Sequence, residues 1–134
     1  MAKQVFLNAV VTVNGTDFSD HIASVTIDQS ADEIETTAFG SGWRSRVAGL
    51  KDGSVQLDWH QDYASSVDAT LSSAWGSVGT VVVIPNGTAV SASNPRMTCP
   101  VVISSYSPVA GSVGDLMTFS TTWAAAGAFT RGTA

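Results

Sequence analysis

The chain has 134 residues, of which 44% are hydrophobic and only 13% charged, and its formal net charge is −5. A chain of this length buries roughly two-thirds of its unfolded surface, so one core can hold it without disulfide or metal staples. The acidic balance argues against a free-standing nucleic-acid binder, the lone Cys99 excludes an intrachain disulfide, and no apolar run is long enough to span a membrane. A surface with about half the usual quarter of charged residues is either covered by small polar residues or buried against partners.

The first residues, MAKQVFLNAV, carry no long apolar core after the lysine. No signal peptide is therefore expected, and the chain is expected to be made and folded in a cytoplasm. Alternation then dominates. Val5, Leu7, Ala9, Val11 and Val13 share one face of a strand, and Asn14-Gly15 marks the turn after it. In HIASVTID, Ala23, Val25 and Ile27 point one way and Ser24, Thr26 and Asp28 the other.

Next comes a glycine-rich excursion, TTAFGSGWRSRVAGLKDG, read as a long projecting loop over about 32–52. A dinucleotide fingerprint would need a third glycine where Ser45 stands, and no helix follows, so a phosphate cradle is excluded. Within 37–53, Arg44, Arg46 and Lys51 stand against Asp52, a net of +2, while the rest of the chain has a net of −7. A solvated surface loop is the plain alternative. The sharper reading is a basic projection, anchored by Trp43, that docks on the acidic body of a neighbouring copy. A long loop with an exposed Trp is costly unless another subunit covers it, and a heterologous contact of this kind builds rings or filaments.

SVQLDWHQD is the clearest strand, with Val55, Leu57 and Trp59 inward and Gln56, Asp58 and His60 outward. Ser65 and Asp68 form a capping box before a helix at about 66–75, with Val67, Leu71 and either Ala74 or Trp75 on its inner face and Gly76 closing it. TVVVIP reads as a fully apolar strand ending at Pro85. RMTCPVVISSYSP and LMTFSTTWA complete the set, and in the last Met117, Phe119 and Trp123 alternate with Thr118, Ser120 and Thr122. The two Asn-Gly-Thr sequons, at 14–16 and 86–88, read as hairpin turns. MAKQ and GAFTRGTA read as terminal arms. The fold class is therefore mainly β, six to eight strands in two packed antiparallel sheets forming a sandwich or barrel, with one flanking helix and a single domain over 1–134.

Candidate chemistry is thin. His60 with Asp62, or His21 beside Asp20, could begin a metal site, but two histidines and one cysteine make no convincing zinc set. A small hydrolase using His60 with Asp58 or Asp62 has no nucleophile elbow to support it. A carbohydrate- or receptor-binding module would use exposed Trp43 and Trp75 for stacking.

The pattern as a whole resembles the major tail tube protein of long-tailed, non-contractile (siphovirus-type) bacteriophages. The resemblance lies in the opening hairpin ending at VTID, in GWRSRVAGLKDGSVQLDW, in the single helix SSVDATLSSAW and in GSVGDLMTFSTTW. It implies a virion structural protein without catalysis, cofactor, metal or membrane anchor. It implies six-membered rings that stack into a hollow tube through which double-stranded DNA passes without specific binding. Tape measure, terminator and distal tail proteins are the other partners it implies, and the virion tail is the location. Type VI secretion tube proteins and tail terminators are related possibilities. The long loop would contact the adjacent ring, through Trp43, Arg44, Arg46 and Lys51. A lumen that conducts DNA must repel phosphate, which makes Asp28, Asp58 and Asp115 the candidate acidic lining.

Overall fold

The protein is described here by a computed structural model covering residues 8–64 and 66–133. Among the described residues, eight strands form two antiparallel sheets with one helix, a sandwich and not a closed barrel. β1 (Val10–Val13) and β2 (Thr16–Asp17) turn through Asn14 and Gly15, whose φ values of 52° and 84° suit the primed hairpin turn that this dipeptide favours. β1 pairs with β5 (Val78–Ile84), β5 with β6 (Arg96–Val102), and β6 with β8 (Thr130–Gly132). The second sheet has the order β3 (Ile22–Glu35), β4 (Arg46–His60), β7 (Thr118–Ala124).

The inward rows of both sheets and one face of helix α1 (Ser66–Ala74) meet in a single apolar cluster. Trp59 lies at its centre. Its ring stacks on Phe119 at 5.7 Å between centroids and meets Phe18 edge-on at 5.4 Å. Its indole N–H donates to Thr121 Oγ1 at 3.0 Å, which satisfies both buried polar groups. Val55, Leu57 and Trp59 are fully buried, as the alternation requires.

Several expectations resolve in detail. The helix ends one residue earlier than 75, and Ala74 takes the inner position while Trp75 is exposed. Ser65 of the capping box, Val5, Leu7 and the MAKQ arm lie outside the described residues. Ala23 is the extra residue of a bulge, since Ile22 pairs with Trp59 and Ser24 with Asp58, so it is exposed and not inward. The TVVVI strand alternates after all, with Val81 and Val83 in the core and Val82 and Ile84 half-buried on the other face. GAFTRGTA is corrected most. Phe129 packs on the core and residues 130–132 form β8, an edge of the five-stranded sheet.

The excursion expected as a loop over about 32–52 is instead the outer half of the β3–β4 hairpin. Strand pairing runs out to Glu35 and Arg46, and only 36–45 form a connecting loop. Beyond the Ser54–Ala124 pair no third strand accompanies this ribbon among the described residues. It projects as an arm of roughly 20 Å at the usual rise per strand residue.

Candidate functional site

The arm places the residues singled out for intermolecular contact. Its tip is ordered by its own hydrogen bonds: Thr36 N–H donates to Ser45 O at 2.8 Å, and Ser45 N–H to Thr37 Oγ1 at 2.8 Å. Ser41 Oγ donates to Trp43 O at 2.7 Å. Trp43 is 88% exposed, and Phe39, Leu50, Val47 and Ile34 are exposed as well. Ile34 pairs with Val47 across the ribbon, so much of the arm's apolar surface faces solvent.

Two of the arm's cations face an acid on its other strand. Arg44 lies 3.5 Å from Glu35, Arg46 is in register opposite Glu35, and Lys51 is opposite Ala31. The acidic run DQSADEIE is the arm's other strand, so basic and acidic legs lie side by side. The Arg44–Glu35 pair is exposed, and such pairs contribute little.

The outward face of the three-stranded sheet is polar in a regular way. Across β3, β4 and β7 its rows read Ser24–Asp58–Ser120, Thr26–Gln56–Thr122 and Asp28–Ser54–Ala124, with Ser30–Asp52 beyond. No Lys or Arg stands in these rows. Ser120 Oγ donates to Asp58 Oδ1 at 2.6 Å, which fixes that carboxylate on the face. Two of the three candidate lining acids, Asp28 and Asp58, therefore share one surface. Asp115 does not; it sits in a turn closed by its N–H to Ser112 O at 3.1 Å, in the segment before β7.

That segment caps the sheet end opposite the arm. Gln61 N–H donates to Met117 O at 3.0 Å, and Gln61 Nε2 donates to Tyr106 OH at 2.9 Å and to Pro108 O at 3.0 Å. Tyr63 OH donates to Pro108 O. Tyr106 OH donates to Asp68 Oδ1 at 2.6 Å; burial and then this carboxylate push the phenol pKa up. Phe18 and Tyr106 carry no sequence signal: Phe18 belongs to no alternating run, and Tyr106 lies in RMTCPVVISSYSP past Val102, where β6 ends.

The metal and hydrolase candidates form no common centre. His21 Nε2 lies 3.6 Å from Asp20 and 3.9 Å from Asp62. His60 is half-buried on the polar face, its Nδ1 buried without a hydrogen-bond partner, while Asp58 is engaged by Ser120. Among the described residues no three His, Cys, Asp or Glu side chains gather as around a metal ion. Cys99 is buried, and desolvation raises its thiol pKa to about 11. Trp43 and Trp75 are on different elements, the arm tip and the residue after α1. Among the described residues no helix is long and apolar enough to cross a membrane.

No protein-family model matches the chain, and no curated protein matches it. Solved structures do. A chain in the virion of a native gene transfer agent particle superposes with a TM-score of 0.77 at 18% identity, over 96% of this chain and 98% of that one. A chain in the tail of an empty gene transfer agent particle, refined with helical and C6 symmetry, gives 0.73 at 20% identity, over the same shares. A chain of the six-fold symmetrised anti-feeding prophage baseplate gives 0.53 at 10% identity, over 98% and 97%. At these identities the likeness is one of fold.

Proposed function

We propose that the chain is a structural subunit of a phage-type tail tube. Six copies close into a ring, rings stack, and the hollow stack conducts double-stranded DNA without holding it. The chain is made in the host cytoplasm and ends in the virion tail, meeting tape measure, terminator and distal tail proteins there. It needs no cofactor and performs no catalysis.

The observation that carries this reading is the outward face of the three-stranded sheet. It is acidic and hydroxyl-rich, with no cation in its rows, on a sheet whose two edge strands, β3 and β7, have no further strand beside them among the described residues. A long open edge is a liability in a monomer. Pairing β3 of one copy with β7 of the next is heterologous, and it removes both edges when the ring closes. The combined wall then presents Asp28 and Asp58 to the lumen, where phosphate finds no Lys or Arg to bind. The arm, through Trp43, Arg44, Arg46 and Lys51, reaches the adjacent ring. The fold likeness to a C6 helical tail supports the same arrangement. The baseplate likeness supports a second reading, a ring at one end of a tail, which would stop at single rings.

Negative-stain microscopy of the purified protein tests the proposal, with rings or tubes expected. A strictly monomeric protein at high concentration, with the tail partners present, sinks it. Asp28→Lys with Asp58→Lys tests the lumen. Tubes should still form but should retain duplex DNA, and retention should fall steeply with salt, by about 0.9 in log–log slope per phosphate engaged. Variant tubes as DNA-free as the wild type would remove this face from the lumen.

A further inference from the structure

The three-stranded sheet has two unlike ends. The arm leaves one end, past Asp28 and Ser54. At the other end lie Ile22, His60 and Thr118, and the segment 107–117 folds over it. That segment shows Val113, 106% exposed, with Val109 and Leu116 also exposed and Tyr63 beside them. These side chains stand on a fixed base, because Tyr63 and Gln61 both bond to Pro108 O and Gln61 also bonds to Met117 O. Asp20, Asp62 and Asp115 belong to the same end. The described cations are elsewhere: three on the arm, and Arg96 and Arg131 on β6 and β8, which pair at the start of β6.

The arm tip is the complement of this end. It offers exposed aromatic rings, Phe39 and Trp43, together with Arg44 and Arg46. We infer that the 107–117 end is the seat for the arm tip of a second copy. Phe39 and Trp43 cover Val113 and Leu116, and the two arginines lie among Asp20, Asp62 and Asp115. The inference rests on the tube reading and deepens it by naming the receiving surface. Tip and seat are at opposite ends of one sheet, so each copy that receives a tip also offers one, and the contact repeats without closing. Aromatic and arginine side chains are where interface energy concentrates, and complementary charge sets the direction of docking. The Arg44–Glu35 pair within the arm is exposed, so exchanging Glu35 for a partner's aspartates costs little.

Two variants test the seat. One carries Val113→Asp with Leu116→Asp; the other replaces 36–45 by Asn-Gly. Circular dichroism and a thermal melt check that both fold. Sedimentation and microscopy are expected to find each variant halted at single rings, with the junction weakened roughly tenfold or more per lost anchor. An equal mixture should give paired rings, since one sound tip then meets one sound seat. If the seat variant stacks like the wild type while the tip variant does not, the seat is elsewhere and the tube reading survives. If the wild type forms neither rings nor tubes, the tube reading falls and takes the seat with it. An independent measurement is oxidative cross-linking of Trp43→Cys with Val113→Cys. A ladder of linked copies is expected, and none from Trp43→Cys with Thr80→Cys on the other sheet. Equal ladders, or none from the first pair, overturn the assignment.

Discussion

The β3–β4 hairpin obeys one set of rules near its root and another along its arm. From Ile22–Trp59 to Asp28–Ser54, one face is in the core and the other is polar, so register is set by burial. From Gln29–Gly53 to Glu35–Arg46, nearly every position is exposed and a bulge interrupts the pairing. A two-stranded ribbon without a buried face is marginal in water. Cross-strand pairs such as Ile34–Val47 contribute only about 0.2–1 kcal/mol each. The same two strands thus serve as scaffold at one end and as a probe at the other. What the root gains from the core, the arm can gain only from a partner.

The largest effect that tests this contrast is at the root. Trp59→Ala removes a fully buried ring with three aromatic neighbours and leaves Thr121 Oγ1 without its donor. The expected loss is about 3–5 kcal/mol in urea unfolding, with no change in the identity of the fold. A loss below about 1 kcal/mol would mean that the root is not where the hairpin is held.

The junction between the two regimes gives the next effect. A Cβ at Gly53 would stand 2.5 Å from Phe129 Cε2 and 3.0 Å from Asp28 O. Phe129 therefore sits directly on the backbone where the arm begins, which ties the C-terminal segment to the arm's exit. Gly53→Ala is expected to cost about 1–3 kcal/mol. Adding Phe129→Ala should cost less than the sum of the two changes, with a coupling of about 0.5–3 kcal/mol. Strict additivity would dissociate Phe129 from the junction.

The contrast also explains what the sequence could and could not tell. Val55, Leu57, Trp59, Phe119 and Trp123 were legible because a half-buried strand writes its environment as alternation. The arm was not, since a ribbon exposed on both faces has no periodic constraint, and its glycines and mixed charges look like loop. The acidic stretch 28–35 and the basic stretch 44–51 look unrelated in sequence, although pairing makes them the two legs of one hairpin. Asp28 and Asp58 could be placed on outward positions by parity, but only pairing of β3 with β4 and β7 brought them to one surface. Asp115 lies off every strand, and parity says nothing there. β8 was hidden for a different reason: three residues pairing at an edge are too short to show a period.

The smallest expected effect on stability belongs to the arm tip. Trp43 lies outside the apolar cluster, and its backbone, not its ring, makes the local hydrogen bonds with Ser41. Trp43→Ser should therefore change the unfolding free energy by no more than about 0.5 kcal/mol, as surface substitutions usually do. Its effect should fall on assembly, where a lost tryptophan anchor removes a large share of a junction's energy. The two readouts together separate the regimes, because Trp59→Ala moves stability first and Trp43→Ser moves only association. A large stability loss from Trp43→Ser would show that the tip folds back on its own chain. The arm would then be part of the scaffold, with nothing left to offer a neighbour.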